Sequence, residues 1–141
     1  MKNSKLNLTA VLVLTFTLML SGLAFGQMDG THYKASIPFS FQVGDKILPA
    51  GNYIVKVSDH FIQVRDANGT NGAGIVTLRT DRKSAGDVNV MVFNLYGNQH
   101  FLANLWFEGK AEGRRVVMSR AEQEIAKQVG ETKVELALGS K

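Results

Sequence analysis

The sequence predicts an all-β domain: an antiparallel β-sandwich or small barrel of about seven to nine short strands with one short C-terminal helix. Three observations predict it. From Tyr33 onward the apolar residues mostly recur at every second position, the period of a strand with one buried face. Turn signals rich in Gly, Pro and Asn interrupt this alternation at short intervals, which suits antiparallel pairing and leaves no room for the crossovers of parallel strands. One stretch near the end, Ser119 to Gly130, changes to helical spacing.

The elements follow in order. Ile37, Phe39, Phe41 and Val43 alternate with Ser40 and Gln42 as one strand, and Pro38, lacking an amide donor, places it at an edge or gives it an irregular start. Turns at Gly44-Asp45 and Pro49-Ala50-Gly51-Asn52 flank Lys46-Ile47-Leu48. Tyr53, Val55 and Val57 form the next apolar face, then Ile62 and Val64 after a turn at Ser58-Asp59. Asp66 to Gly72 holds two Asn-Gly pairs, which tolerate the positive φ of tight hairpins. Ile75 to Leu78 restarts a strand, and Thr80 to Asp87 reads as a polar, exposed loop. Val88 to Leu95 is dense enough for a central strand. Tyr96-Gly97-Asn98 turns the chain into Phe101, Ala103, Leu105 and Phe107, with Asn104 and Trp106 on the other face. After a turn at Glu108 to Gly113, Arg115 to Met118 is a further short strand. Ser119-Arg120-Ala121-Glu122 fits a capping box, Ala121, Ile125 and Val129 lie four apart on one helical face, and Gly130 is a suitable stop. Thr132 to Leu138 alternates again.

The first 26 residues stand apart. Lys2 and Lys5 precede an apolar run from Leu6 to Leu20, which ends in Ser21-Gly22-Leu23-Ala24-Phe25-Gly26. A charged start, an apolar middle and small residues two apart are the parts of a secretory signal peptide. The stretch is about as long as the roughly 20 residues that span a bilayer. Asn7, Thr9, Thr15, Thr17 and Ser21 dilute it, however, and no basic stop signal follows. Residues 1–26 are therefore expected to be removed and 27–141 to form a single domain in the periplasm or outside the cell, with membrane contact only through the leader if it is retained. The absence of cysteine excludes disulfides and a lipid-modified cysteine, and favours a bacterial envelope or secreted protein. Of 16 basic and 12 acidic residues, Lys2 and Lys5 leave with the leader, so the +4 surplus falls by two. That mild balance argues against a dedicated nucleic-acid binder.

Three stretches are familiar in combination. They are Ile37-Pro38-Phe39-Ser40-Phe41-Gln42-Val43-Gly44 running to Leu48-Pro49-Ala50-Gly51-Asn52-Tyr53; Val92 to Asn98 running to Phe101-Leu102-Ala103; and Ser119-Arg120-Ala121-Glu122-Gln123-Glu124. From Ile37 to about Lys127 the chain resembles a group of small exported proteins of unknown function common in soil acidobacteria. The resemblance implies export and a β-fold and carries no activity with it. Where that group often has a histidine and an arginine before the Tyr-Gly turn, this chain has Asn94 and Leu95.

No residue pattern points to a catalytic centre, a cofactor or a metal. His32, His60 and His100 lack local ligand spacings. Asp66 and Asn68 fall two apart as in calcium loops, but the turn glycine and distal acid are missing, so the segment reads as a plain hairpin loop. Asn68-Gly69-Thr70 matches the glycosylation sequon, which matters only in a glycosylating host. There is no Gly-x-Ser-x-Gly elbow and no phosphate-binding loop. Two surface features remain. Trp106 with Tyr96 would make a flat platform for sugar or peptide if their faces were exposed, against the alternative of burial in a second layer. Arg114, Arg115 and Arg120, beside Lys110, form a local basic cluster that would meet an anionic polymer or lipid headgroups, against the alternative of a solvated charge run. The sequence thus leads to a non-enzymatic exported β-domain with a binding or structural role and an envelope or extracellular partner. A barrel carrying a small apolar ligand is one alternative, although Phe39, Phe41, Tyr53, Val90, Phe93 and Phe101 would fill such a barrel. A small glycan or peptide hydrolase is the other.

Overall fold

A computed structural model describes residues 30–140, so the leader assigned to residues 1–26 lies outside the described residues. The described residues form eleven strands and one helix: β1 (Thr31–Ile37), β2 (Phe41–Val43), β3 (Lys46–Leu48), β4 (Gly51–Val57), β5 (Phe61–Asp66), β6 (Gly72–Asp81), β7 (Val90–Tyr96), β8 (Gln99–Trp106), β9 (Glu112–Val116), α1 (Arg120–Ala126), β10 (Glu131–Ala137) and β11 (Gly139–Ser140). The all-β class with a single C-terminal helix is as the alternation predicts. No helix among the described residues is long and apolar enough to cross a membrane.

Neighbouring strands pair in the order β10-β7-β8-β9-β6-β5-β4-β1-β11. Two segments turn the corners. In β6, Gly72–Val76 pair with β5 while Thr77–Asp81 pair with β9, so one strand serves both sheets. At the opposite corner β10 pairs with β7, the Leu138 amide donates to the Asn89 carbonyl, and the chain runs straight on as β11 against β1. Both ends of the strand order thus lie in one stretch of chain, and the two sheets close into a flattened barrel. The β2–β3 hairpin lies along β8, pairing in parallel through Phe41 and Gln42, where β9 no longer covers that edge.

The interior is a packed core. Ile37, Phe41, Leu48, Tyr53, Val55, Ile62, Val64, Met91, Phe93, Leu102 and Leu105 are each almost fully buried. The ring of Phe93 meets Phe39 edge-on at 5.3 Å and Phe41 at 5.5 Å, and Phe41 meets Tyr53 at 5.2 Å. This aromatic centre ties the first hairpin to β7 and packs the middle of the barrel.

Several elements depart from the sequence expectation. The strand read from Ile37 to Val43 is two strands, broken at Pro38-Phe39-Ser40, because Pro38 cannot donate to a ladder. Thr80 and Asp81, read as loop, belong to β6, where they pair with Gly113 and Glu112. The face of β8 also changes along its length. Phe93 pairs with Leu102 and Val92 with Asn104, a bulge that leaves Ala103 extra. Leu102 and Leu105 therefore face the core, whereas Phe101 lies on the outer face with Asn94 and Tyr96 and meets Tyr96 edge-on at 5.9 Å. Simple alternation placed Phe101 and Leu105 on one face, and the bulge is why that fails.

The helix docks differently from its apolar stripe. Ser119 caps it as expected, its hydroxyl accepting from the Glu122 amide. Yet Ala121 and Val129 are exposed, Ile125 is half-buried, and the buried residue is Glu122. Its carboxylate does not close the capping box. It accepts instead from Asn94 Nδ2 at 2.9 Å, on the outer face of β7.

One close approach is testable. A Cβ on Gly113 would lie 2.5 Å from the Leu105 carbonyl oxygen and 2.5 Å from Trp106 Cε3. Gly113→Ala is expected to cost about 1–3 kcal/mol, since a backbone atom must shift to admit the methyl group. The denaturation midpoint followed by the fluorescence of Trp106, the only tryptophan, measures it. An unchanged midpoint would mean that β8 and β9 are not packed this closely.

Candidate functional site

A concavity opens at one end of the barrel. Its wall comes from the start of β1, the β4–β5 turn, the β8–β9 turn and β9, and its volume is about 720 Å³. Each wall is held for a local reason. The Ser58 amide and hydroxyl both engage the Phe61 carbonyl, at 2.9 and 3.1 Å, which fixes the turn that presents Asp59 and His60. On the facing side, the Lys110 amide donates to the Phe107 carbonyl at 3.2 Å. Tyr33 stacks on Phe107 with ring centres 5.7 Å apart, forming an apolar floor. Burial raises the Tyr33 phenol above its usual range.

Arg114 lines this cleft from β9. It pairs across β8 with Leu105, a core residue, so its side chain starts inward, and only 9% of it is exposed. Nη1 donates to Glu112 Oε1 at 2.8 Å and to the Gly113 carbonyl at 3.2 Å. Nη2 lies 3.8 Å from Asp59 Oδ1, beyond hydrogen-bond range, and Nε is buried with no partner among the described residues. The hydrogen bond from Arg114, reinforced by the charges of Arg79, Arg114 and Lys110, outweighs desolvation and holds the Glu112 carboxyl below its usual range.

The sequence-based candidates separate in space. Tyr96 pairs with Gln99 at one end of the β7–β8 hairpin and Trp106 with Val90 at the other, so they form no common platform. Tyr96 is buried, its hydroxyl donating to Glu131 Oε2 at 3.2 Å. Burial, with the charges of Glu131 and Glu122, pushes its phenol up to about 12. Trp106 is half-buried with the Arg82 guanidinium over its ring at 5.2 Å, and Arg82 is itself held by the Phe107 and Lys110 carbonyls. The basic cluster is also divided: Arg114 points into the barrel end, Arg115 is exposed on the outer face of β9, and Arg120 is exposed at the start of α1. Of the neighbours considered with it, Lys110 alone joins Arg114 at the cleft.

Other polar groups have local duties. Asp66 receives the Thr70 and Asn71 amides at 2.7 and 3.0 Å and the Asn71 side chain at 3.2 Å. Desolvation raises its carboxyl, but these bonds and one from Gly69 outweigh it, leaving Asp66 below its usual range. His100 stacks on Phe39 at 3.8 Å, and burial lowers its imidazole against a hydrogen bond with the Ser40 backbone. Among the described residues no three His, Cys, Asp or Glu side chains gather as a metal site.

Tyr33 and Asp59 were not singled out by sequence reasoning, His60 was weighed only as a metal ligand, and Phe107 was read only as part of a strand's apolar face. Parity offers a signal for Arg114: Val116 faces the core, so Arg114, two residues earlier, faces the same way. Comparison of the chain with protein-family models, with curated proteins and with solved structures returns no match.

Proposed function

We propose that this chain is an exported, non-enzymatic β-barrel domain of the bacterial envelope or secreted fraction that works by binding, and that the cleft between Tyr33, Phe107 and Arg114 is where it binds. The observation that carries this reading is the contrast between a filled interior and an open end. Phe41, Tyr53 and Phe93 occupy the barrel centre, while the end cleft keeps about 720 Å³ beside an aromatic stack and a buried guanidinium. A ligand would therefore sit at the mouth and not inside, which modifies the apolar-carrier alternative.

The placement of the titrating groups supports a non-enzymatic role. The carboxyl pushed upward, Glu122, is sealed beneath α1, away from the cleft. Asp59 is the only carboxylate among the described residues that lines the cleft, whereas glycoside hydrolysis uses two. Export rests on the leader-like residues 1–26.

Native mass spectrometry of the protein from its host's exported fraction tests the reading. The expected result is a mass beginning at Gln27 with one small molecule retained. A mass that still contains Met1 to Gly26 would overturn cleaved export. Saturable turnover in a substrate screen, abolished by one substitution in the cleft, would overturn the non-enzymatic assignment.

A further inference from the structure

The geometry points to a specific ligand class, an inference that rests on the mouth-binding reading: we propose that Nη2 of Arg114 receives the carboxylate, sulfonate or phosphate of an organic anion whose flat apolar body lies along Tyr33. A guanidinium offers several N–H donors for recognition of an anion. Glu112 holds Nη1 at 2.8 Å. Among the described residues Nη2 makes no hydrogen bond, and Nε, also without one, is buried out of reach of the cleft. A buried donor without an acceptor costs free energy, so the guanidinium is under-satisfied, and Nη2 is the donor that a ligand in the cleft can reach.

The surroundings select the anion's chemistry. Asp59 Oδ1 stands 3.8 Å from Nη2, but its side chain is 92% exposed and well solvated, so it holds Nη2 weakly. An incoming anion would displace it. Lys110 and His60 on the rim add donors, and Tyr33, half-buried and stacked on Phe107, supplies apolar surface. A small inorganic anion would leave that surface unused, and a neutral hydrocarbon would leave Nη2 unpaired.

The test uses the residue 27–141 protein and two dyes sharing one ring system: 8-anilinonaphthalene-1-sulfonate and the uncharged N-phenyl-1-naphthylamine. Fluorescence titration should show one saturable site for the sulfonate and weaker binding of the neutral dye. Arg114→Gln should weaken the sulfonate about tenfold or more, the scale of lost charge-assisted hydrogen bonds. Asp59→Asn removes the competing carboxylate and should tighten it by about two- to fivefold. Because Asp59 is exposed, that variant keeps the test valid should Arg114→Gln not fold. Equal binding of both dyes, indifferent to Asp59→Asn, would overturn anion recognition and leave mouth binding standing. Saturable binding of neither dye would overturn both.

Discussion

Phe93→Ala is expected to destabilise the domain by about 3–5 kcal/mol, the usual range for deleting a buried aromatic ring. Phe93 has no exposed surface. Its ring is the hub at which Phe39 and Phe41 meet edge-on, at 5.3 and 5.5 Å. Removing it deletes the ring's own burial and both aromatic contacts, and it opens a void that neighbours on closed sheets fill poorly. A domain of this size has a total stability of about 5–15 kcal/mol, so the variant should sit near its limit. Urea titration gives the measurement, with Phe93→Leu as a milder comparison. Because Phe39 and Phe41 belong to the β1–β2 connection and β2, amide exchange in the β2–β3 hairpin should accelerate first. A loss below about 1 kcal/mol would contradict a filled interior, and would reopen the reading of the barrel as a container for an apolar ligand.

Legibility in the sequence followed the range of the interactions involved. Alternation along Tyr53 to Val57 and Phe61 to Asp66 is local, so those strands and their inward faces could be read directly. The corners could not. That β6 changes partners at Thr77, and that β10 continues through Leu138 into β11, depends on pairings between distant segments. Sandwich and barrel therefore looked alike. The bulge at Ala103 reversed the face of Phe101 with no glycine or proline to announce it. Tyr96 and Trp106 looked like neighbours because each is an aromatic beside a turn, yet antiparallel pairing sends them to opposite ends of the hairpin. Arg114 and Arg115 read as one charge run because they are adjacent. Adjacent residues in a strand point to opposite faces, so the pair puts one cation in the barrel end and one in water.

Glu122 provides the second large effect, since a carboxylate occupies the place where the helical spacing predicted an apolar contact. Tyr96 donates to Glu131, Lys133 to both Glu131 and Asn94, and Asn94 to Glu122, so a continuous polar chain links β7, β10 and α1. Glu122→Ala leaves Asn94 Nδ2, in a residue only 7% exposed, without its acceptor. The expected cost is about 1–3 kcal/mol. Glu122→Gln keeps an acceptor for Asn94 and removes only the charge. Burial pushes the Glu122 carboxyl up; the Asn94 hydrogen bond opposes this, the Glu131 charge adds to it and the Lys133 charge opposes it. The folded protein therefore holds this proton to higher pH than the unfolded chain does. The resulting stabilisation is complete below the ordinary value of 4.5 and is lost as pH rises through the raised folded value. Glutamine cannot ionise, so the variant should lack this decline and at neutral pH should equal or exceed the wild type. Glu131 is shifted the other way, chiefly by its hydrogen bond from Lys133, and its contribution is lost as pH falls. The difference between wild type and Glu122→Gln, taken from denaturation midpoints across pH, isolates Glu122 from that opposing trend. Identical pH profiles for the two proteins would mean that the carboxylate is solvated and that α1 does not seal this face of the sheet. A decline confined to the wild type would show that α1 is anchored on the barrel by a titrating hydrogen bond in place of an apolar stripe.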